Sequence, residues 1–320
     1  MRRLLDGVTL SEIQTRSRPL RVAVMGTWNW LEVAAELLRR AGMECKLFPD
    51  FPTGRAFLKF ALGGGLKGFD AVHHVRGTSW FYGSVFRLIR KPVIWHWIGT
   101  DVLEYSRTRF GGGDCRSRIA RRAIHKWAAG HLADSPELAG ELGDMGIRAD
   151  VVRLLPKAIE ADVQPLPPRP GVLSYWGPEH RDFYRCGIIM RLAEAFPDVP
   201  FIIVGDHGNG VESPPNVKFL GRLPSLADVY PQVSVYVRLV EHDSLSAIVL
   251  EAMARGRYVI YSRAFPHTQT AQDFDQAKAA MEGLLRRMEP DVEAAGYIRS
   301  TYNLDDQARQ LGRIYGKLFG

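Results

Sequence analysis

Residues 235–260 read VYVRLVEHDSLSAIVLEAMARGRYVI, and this stretch decides the fold. Val233–Val237 is a short β-branched run that predicts a buried strand. A polar loop follows, and Leu245–Ala254 predicts a helix with Leu245, Ile248, Val249 and Ala252 as its buried stripe. Asp243 or Ser244 is the expected cap at its start, and Gly256 ends it. Tyr258–Tyr261 then predicts the next strand. Strand–helix alternation of this kind implies a parallel sheet with helices on both faces.

The same alternation runs outward in both directions. Arg21–Gly26, Cys45–Phe48, Ala71–Val75, Val93–Trp97 and Gly130–Ala133 read as strands, and Asp150–Leu154 as extended chain. Leu31–Ala41, Trp80–Ile89, Arg116–Ala129 and the stretch from Pro136 to Asp144 read as helices between them. Pro165-Leu166-Pro167-Pro168-Arg169-Pro170 then breaks the pattern, because successive prolines fix φ and remove backbone donors. Beyond it the alternation restarts with Val172–Tyr175, a helix near Gly187–Ala195, Phe201–Val204 and Val217–Leu220, and Asp305–Phe319 closes the chain as an amphipathic helix. The expected fold class is α/β, with two parallel-sheet domains spanning 1–164 and 165–303, and the helix 304–320 packing back on the first. Ligands of open α/β sheets sit beyond the carboxyl ends of the strands, so two such domains suggest a cleft between them.

Length and composition agree. At about 150 residues per domain, 320 residues correspond to two domains. Hydrophobic residues make up 46% and charged residues 24%, an ordinary globular balance that excludes long disorder, collagen and coiled coil. Lys+Arg 42 against Asp+Glu 35 leaves a net charge of +7, which favours anionic partners without choosing one. The three cysteines, Cys45, Cys115 and Cys186, form no CxxC pair, so neither a disulfide framework nor a zinc ribbon is expected. No apolar run approaches the roughly 20 residues of a membrane span, and the first residues lack the apolar core of a signal peptide, which makes the cytoplasm the expected location. No nucleic-acid-binding motif accompanies the basic balance, and no G-x-G-x-x-G follows the first strand.

The loop before the helix carries the chemistry. A helix N-terminus offers free N–H groups and partial positive charge, which suits a phosphate. Asp243 and Glu251 are eight residues apart, about 10–12 Å along a helix axis at about 1.5 Å per residue. That separation matches a ribose at one end of a pyrophosphate and a sugar at the other, while a plain cap and a solvated helix residue are the simpler reading.

This segment resembles the Glu-x7-Glu motif of the retaining group 1 glycosyltransferases of the GT-B fold, in which two Rossmann-like domains face a cleft. Asp243 stands for the first glutamate and Glu251 matches the second, and Ala252–Ile260 looks like the family's EAMA-x-G-x-x-V-I. The resemblance implies that Glu251 holds the donor ribose hydroxyls and Asp243 contacts the transferred sugar. The loop amides of Ser244, Leu245 and Ser246 would touch sugar and phosphate, where the family usually has glycines. Tyr175-Trp176-Gly177, with Arg181 and Arg185 after it, looks like the stretch whose cations clasp the pyrophosphate; Arg185 is the first choice and Arg181 the second, and the family's lysine has no counterpart. The strand ending in Gly205 resembles the family's Gly-x-Gly strand, and Val217–Leu223, with Leu220, the segment whose backbone meets the base. In the first half, His96 in Trp95-His96-Trp97-Ile98-Gly99-Thr100-Asp101 is similar to the histidine of the family's His-Gly-x-Asp turn, with two extra residues before the glycine; a structural histidine at a strand end is the alternative. Gly26, with Thr27-Trp28-Asn29, falls where the family has a glycine loop facing the donor phosphates.

The resemblance implies a nucleotide-sugar donor, a glycan, lipid-linked or small-molecule acceptor, transfer with retention, and no metal or other cofactor. Other nucleotide-sugar chemistry, such as epimerisation, and sugar or nucleotide binding without catalysis are the alternative readings. His73 and His74 end a strand on the acceptor side, where packing competes with acceptor contact. The run Arg116, Arg118, Arg121, Arg122 and Lys126 reads either as a solvated charged face or as a peripheral contact with an anionic membrane.

Overall fold

The computed structural model describes residues 18–26, 28–76, 80–110, 125–177 and 180–320. The chain divides into two compact units, one taking in the chain to Leu155 together with Asn303–Gly320, the other Pro156–Tyr302. The division falls before the proline run, because the 3-10 turn Lys157–Glu160 belongs with the second unit: Arg255 Nη1 donates to Ala158 O at 2.9 Å, and Arg257 holds the Gln164 and Pro165 carbonyls at 2.6–3.0 Å.

The first unit holds a six-stranded parallel sheet of β1 (Arg21–Gly26), β2 (Glu44–Pro49), β3 (Ala71–Val75), β4 (Val93–Trp97), β5 (Gly130–Ala133) and β6 (Asp150–Val151), in the order β2-β1-β3-β4-β5-β6. Every residue of β3 and β4 is buried, His73, His74 and His96 included, as central strands covered on both faces should be. Helices α1 (Trp28–Arg40), α2 (Gly54–Leu62), α3 (Trp80–Leu88), α4 (Thr100–Phe110) and α5 (Pro136–Asp144) connect them. Thr53 caps α2 by accepting from Ala56 N, and Ser135 caps α5 by accepting from Leu138 N, with proline in the first turn. Neither α2 nor α4 is legible in the apolar pattern. Most of the predicted helix Arg116–Ala129 lies outside the described residues, including Arg116, Arg118, Arg121 and Arg122; Lys126 is exposed.

The second unit holds β7 (Val172–Tyr175), β8 (Phe201–Val204), β9 (Val217–Gly221), β10 (Val235–Arg238), β11 (Tyr258–Tyr261) and β12 (Gln269–Thr270), parallel throughout, in the order β12-β11-β10-β7-β8-β9. Helices α6 (Cys186–Ala195), α7 (Ala247–Ala254), α8 (Phe274–Leu284) and α9 (Val292–Thr301) pack around it. Counted from β7, this is the Rossmann order 3-2-1-4-5-6; the first unit has the related flavodoxin-like order. The strand order reverses between β7 and β10 in the second unit and between β1 and β3 in the first. Those are the places where a doubly wound sheet binds ligands.

The last helix, α10 (Leu304–Phe319), belongs to the first unit. Leu304, Ala308, Leu311 and Tyr315 are its buried stripe. Asn303 caps it, Arg40 pairs with Asp305 at 3.0 Å, and Gln310 Nε2 donates to Val151 O at 2.6 Å.

Candidate functional site

At the switch point of the second unit, the carboxyl ends of β7 and β10 bring together residues far apart in sequence. β10 ends on Arg238, which is more than nine-tenths buried. Its Nε donates to Asp243 Oδ2 at 2.9 Å, and the Tyr261 hydroxyl at the end of β11 donates to the same oxygen at 3.0 Å. The guanidinium carbon lies 5.7 Å from the Tyr175 ring centre and 5.2 Å from that of Tyr184. Arg263 donates to the Asp243 carbonyl, so the loop is gripped at side chain and backbone. Burial works against the Arg238 charge, but Asp243 more than offsets this and keeps it protonated. Breaking such a pair by removing one partner typically costs about 3–5 kcal/mol.

Asp243, Ser244 and Leu245 are buried. None of them begins the helix: α7 starts at Ala247, with Ser246 as N-cap. The expected cap at Asp243 or Ser244 is therefore corrected by three to two residues, because Asp243 turns to Arg238 and Tyr261 instead of to the helix N–H groups. Ser246 makes no side-chain cap bond, so among the described residues no N-cap side chain satisfies the first turn of α7. Ile248 is only half-buried, whereas Val249, Leu250, Ala252, Met253 and Ala254 are buried.

Glu251 is half-buried on α7. The Tyr230 hydroxyl donates to its Oε2 at 3.3 Å, and Arg255 lies over the Tyr230 ring at 4.6 Å. Burial raises the Glu251 carboxyl above its usual range, and Arg255 and the Tyr230 hydrogen bond pull it back. Sequence reasoning missed Tyr230 and Arg238. An alternating strand pattern places Arg238 on the same face as Tyr236, and the sequence signal was a charged residue ending an apolar strand.

The two glycines near β7 are sterically required. A Cβ on Gly205 (φ +92°) would lie 2.3 Å from Trp176 O, and one on Gly177 2.8 Å from the Tyr184 ring. Leu220, on β9, is half-buried, and Gly205 N donates to Gly221 O at 2.7 Å, so the two strand ends are tied. Arg181 forks onto Asp206 at 2.7 and 3.1 Å and donates to Asn209 O at 3.0 Å. Arg185 sits in a left-handed conformation at the start of α6 and donates to Gln272 O. Both expected cations are thus engaged within the second unit.

In the first unit, Gly26 ends β1 with φ +123°, and a Cβ there would lie 2.0 Å from Val75 O. His96 is fully buried, with Nδ1 3.1 Å from His73 Nε2 and Nε2 2.8 Å from Val152 O. His73 Nδ1 in turn lies 2.9 Å from the Tyr315 hydroxyl. Both ring nitrogens of His96 thus have partners inside the unit, the arrangement expected of a structural histidine at a strand end. His73 and His74 are likewise packed in the core. Among the described residues, no group of three or more His, Cys, Asp and Glu side chains could hold a metal ion, and no helix is long and apolar enough to cross a membrane.

Residues 186–299 match the family model of the group 1 glycosyl transferases. The fold as a whole is similar to that of sucrose-phosphate synthase from Thermosynechococcus elongatus, with a TM-score of 0.73 at 14% identity over 94% of this chain and 99% of that one. A glycosyltransferase from Rickettsia africae is similar with a TM-score of 0.61 at 10% identity, over 95% and 99%. A mutant of S. aureus TarM, solved with fondaparinux, alpha-GlcNAc-glycerol and UDP, has a TM-score of 0.61 at 10% identity, over 81% of this chain and 58% of that one. No curated protein matches by sequence. The two parallel-sheet units are those of the GT-B fold, and the matched family segment contains Arg238, Asp243 and Glu251.

Proposed function

We propose that the chain is a glycosyltransferase that takes a nucleoside-diphosphate sugar as donor and transfers the sugar to an acceptor hydroxyl with retention. The observation that carries this reading is the placement of Asp243 and Glu251 at the switch point of the second unit, within the segment that matches the group 1 family model.

Glu251, held by Tyr230, would accept hydrogen bonds from the two ribose hydroxyls. Asp243 has both of its carboxylate hydrogen bonds on Oδ2, so Oδ1 would accept one from a hydroxyl of the transferred sugar. The uncapped first turn of α7 would meet the phosphates, whose charge grows as the sugar leaves. The departing phosphate would take the acceptor proton, with no protein base in the step. No metal or other cofactor enters this scheme. The acceptor class includes glycan, lipid-linked and small-molecule hydroxyls.

Thermal-shift measurements with a panel of nucleoside diphosphates and nucleotide sugars test it. One base should stabilise the wild-type chain, and Glu251→Ala should remove that stabilisation, since two charged hydrogen bonds are worth about 3 kcal/mol, a factor of about 100 in affinity. Undiminished stabilisation of Glu251→Ala would overturn the ribose assignment.

A further inference from the structure

The two arginines that the sequence offers to a diphosphate are committed elsewhere. Arg181 is neutralised by the buried Asp206 carboxylate, and Arg185 reaches across to Gln272 O. Arg238 differs from both. It is more than nine-tenths buried, it stands on a strand end at the switch point, and only its Nε makes a well-formed hydrogen bond, to Asp243 Oδ2. At the Nη1 and Nη2 edge the neighbour is the Tyr184 side chain, whose hydroxyl is within hydrogen-bonding reach of the guanidinium and whose ring lies beside it. The Tyr236 hydroxyl has both Arg238 and Ser246, the uncapped start of α7, as neighbours.

We propose that Arg238 supplies the cationic grip on the donor diphosphate, its Nη edge binding phosphate oxygens beside the first turn of α7. The proposal rests on the nucleotide-sugar reading above and names a residue for it. A guanidinium has one planar fork per edge, and with Nε turned to Asp243 the opposite edge is left to meet two anionic oxygens at once. The same Nε–Oδ2 bond fixes the Asp243 carboxylate, leaving Oδ1 for a sugar hydroxyl. Phosphate donor and sugar acceptor are thereby locked together in one rigid pair, matching the adjacency of diphosphate and sugar in the donor. The rings of Tyr175 and Tyr184 hold the guanidinium in place, so little side-chain entropy is lost on binding.

Calorimetric titration of the full chain with uridine, guanosine, adenosine and thymidine diphosphates, and with the matching nucleosides, tests this. Removing Arg238 alone strands a buried carboxylate, so the informative comparison is Asp243→Asn against Arg238→Gln/Asp243→Asn. The diphosphate bound by the wild-type chain should bind the double variant about tenfold or more weaker than it binds Asp243→Asn. Nucleoside affinity should be equal in all three. Equal diphosphate affinity in Asp243→Asn and the folded double variant overturns the assignment. Should the double variant not fold, Arg238→Lys keeps the charge without the fork: weakened diphosphate binding supports the proposal, and wild-type binding overturns it. A wild-type chain that binds none of the diphosphates overturns the nucleotide-sugar reading itself, and this inference with it.

Discussion

At the residue scale, the site turns on which charges are already satisfied. Asp243 and Glu251 are singled out in the sequence by the resemblance to the Glu-x7-Glu motif, because their spacing alone reads more simply as a cap and a solvated helix residue. Their partners are not legible. Tyr230 precedes β10 and Arg238 ends it, and only the folded sheet brings them to the two carboxylates. Arg181 and Arg185 read as phosphate cations in the sequence, and in the fold Arg181 pairs with Asp206 and Arg185 donates to Gln272 O. The histidines of the first unit make a separate prediction. Burial pushes His74 and His96 down to about 4, and burial with the neighbouring histidines takes His73 well below its usual range. A folded value below the ordinary 6.5 or so means that the unfolded chain binds more protons, so stability falls as pH falls from about 6.5 towards about 4, by up to about 1.4 kcal/mol per pH unit for each histidine. Urea titrations followed by the fluorescence of buried Trp95 and Trp97 should give a lower midpoint at about pH 5 than at about pH 7.5. Equal midpoints would count against neutral, buried histidines.

At the scale of elements, the strands and the helix starts at Trp80 and Pro136 were legible, and the start of α7 was not. The largely apolar, β-branched and aromatic runs of β3, β4, β7 and β10, each with a polar residue inside or at its end, mark buried parallel strands. Residues 243–246 are compatible with both loop and helix, and tertiary contacts decide: Asp243 bonds to β10 and β11, and α7 begins only at Ala247. Helices α8 and α9 escape the pattern although Asp273 and Asp291 cap them, since their faces are short and mixed. The turn after β8 carries a prediction. Gly205→Ala would place a Cβ 2.3 Å from Trp176 O and 2.7 Å from the Tyr175 ring, which underlies Arg238. It should destabilise the second unit by about 3 kcal/mol or more, whereas Gly210→Ala, with open space at its Cβ, carries only the cost of its φ of +71°, about 1 kcal/mol. Thermal melts of the two variants that coincide would contradict the steric account.

At the scale of the whole molecule, two α/β units were legible from the restart of the alternation after the proline run. The order of strands within each sheet was not, because pairing between strands distant in sequence leaves no local mark. That order carries the donor-site proposal, since Arg238 and Asp243 stand beside the reversal between β7 and β10. The most direct test of the donor-site reading is turnover: incubate the full chain with a panel of nucleotide sugars and acceptor mixtures, and follow nucleoside diphosphate release and product configuration by NMR. The account predicts that one donor is consumed, that its anomeric configuration is kept in the product, and that Glu251→Ala abolishes the release at the same donor concentration. Consumption of that donor by Glu251→Ala at the wild-type rate, or no donor bound or consumed by the wild-type chain, would contradict it.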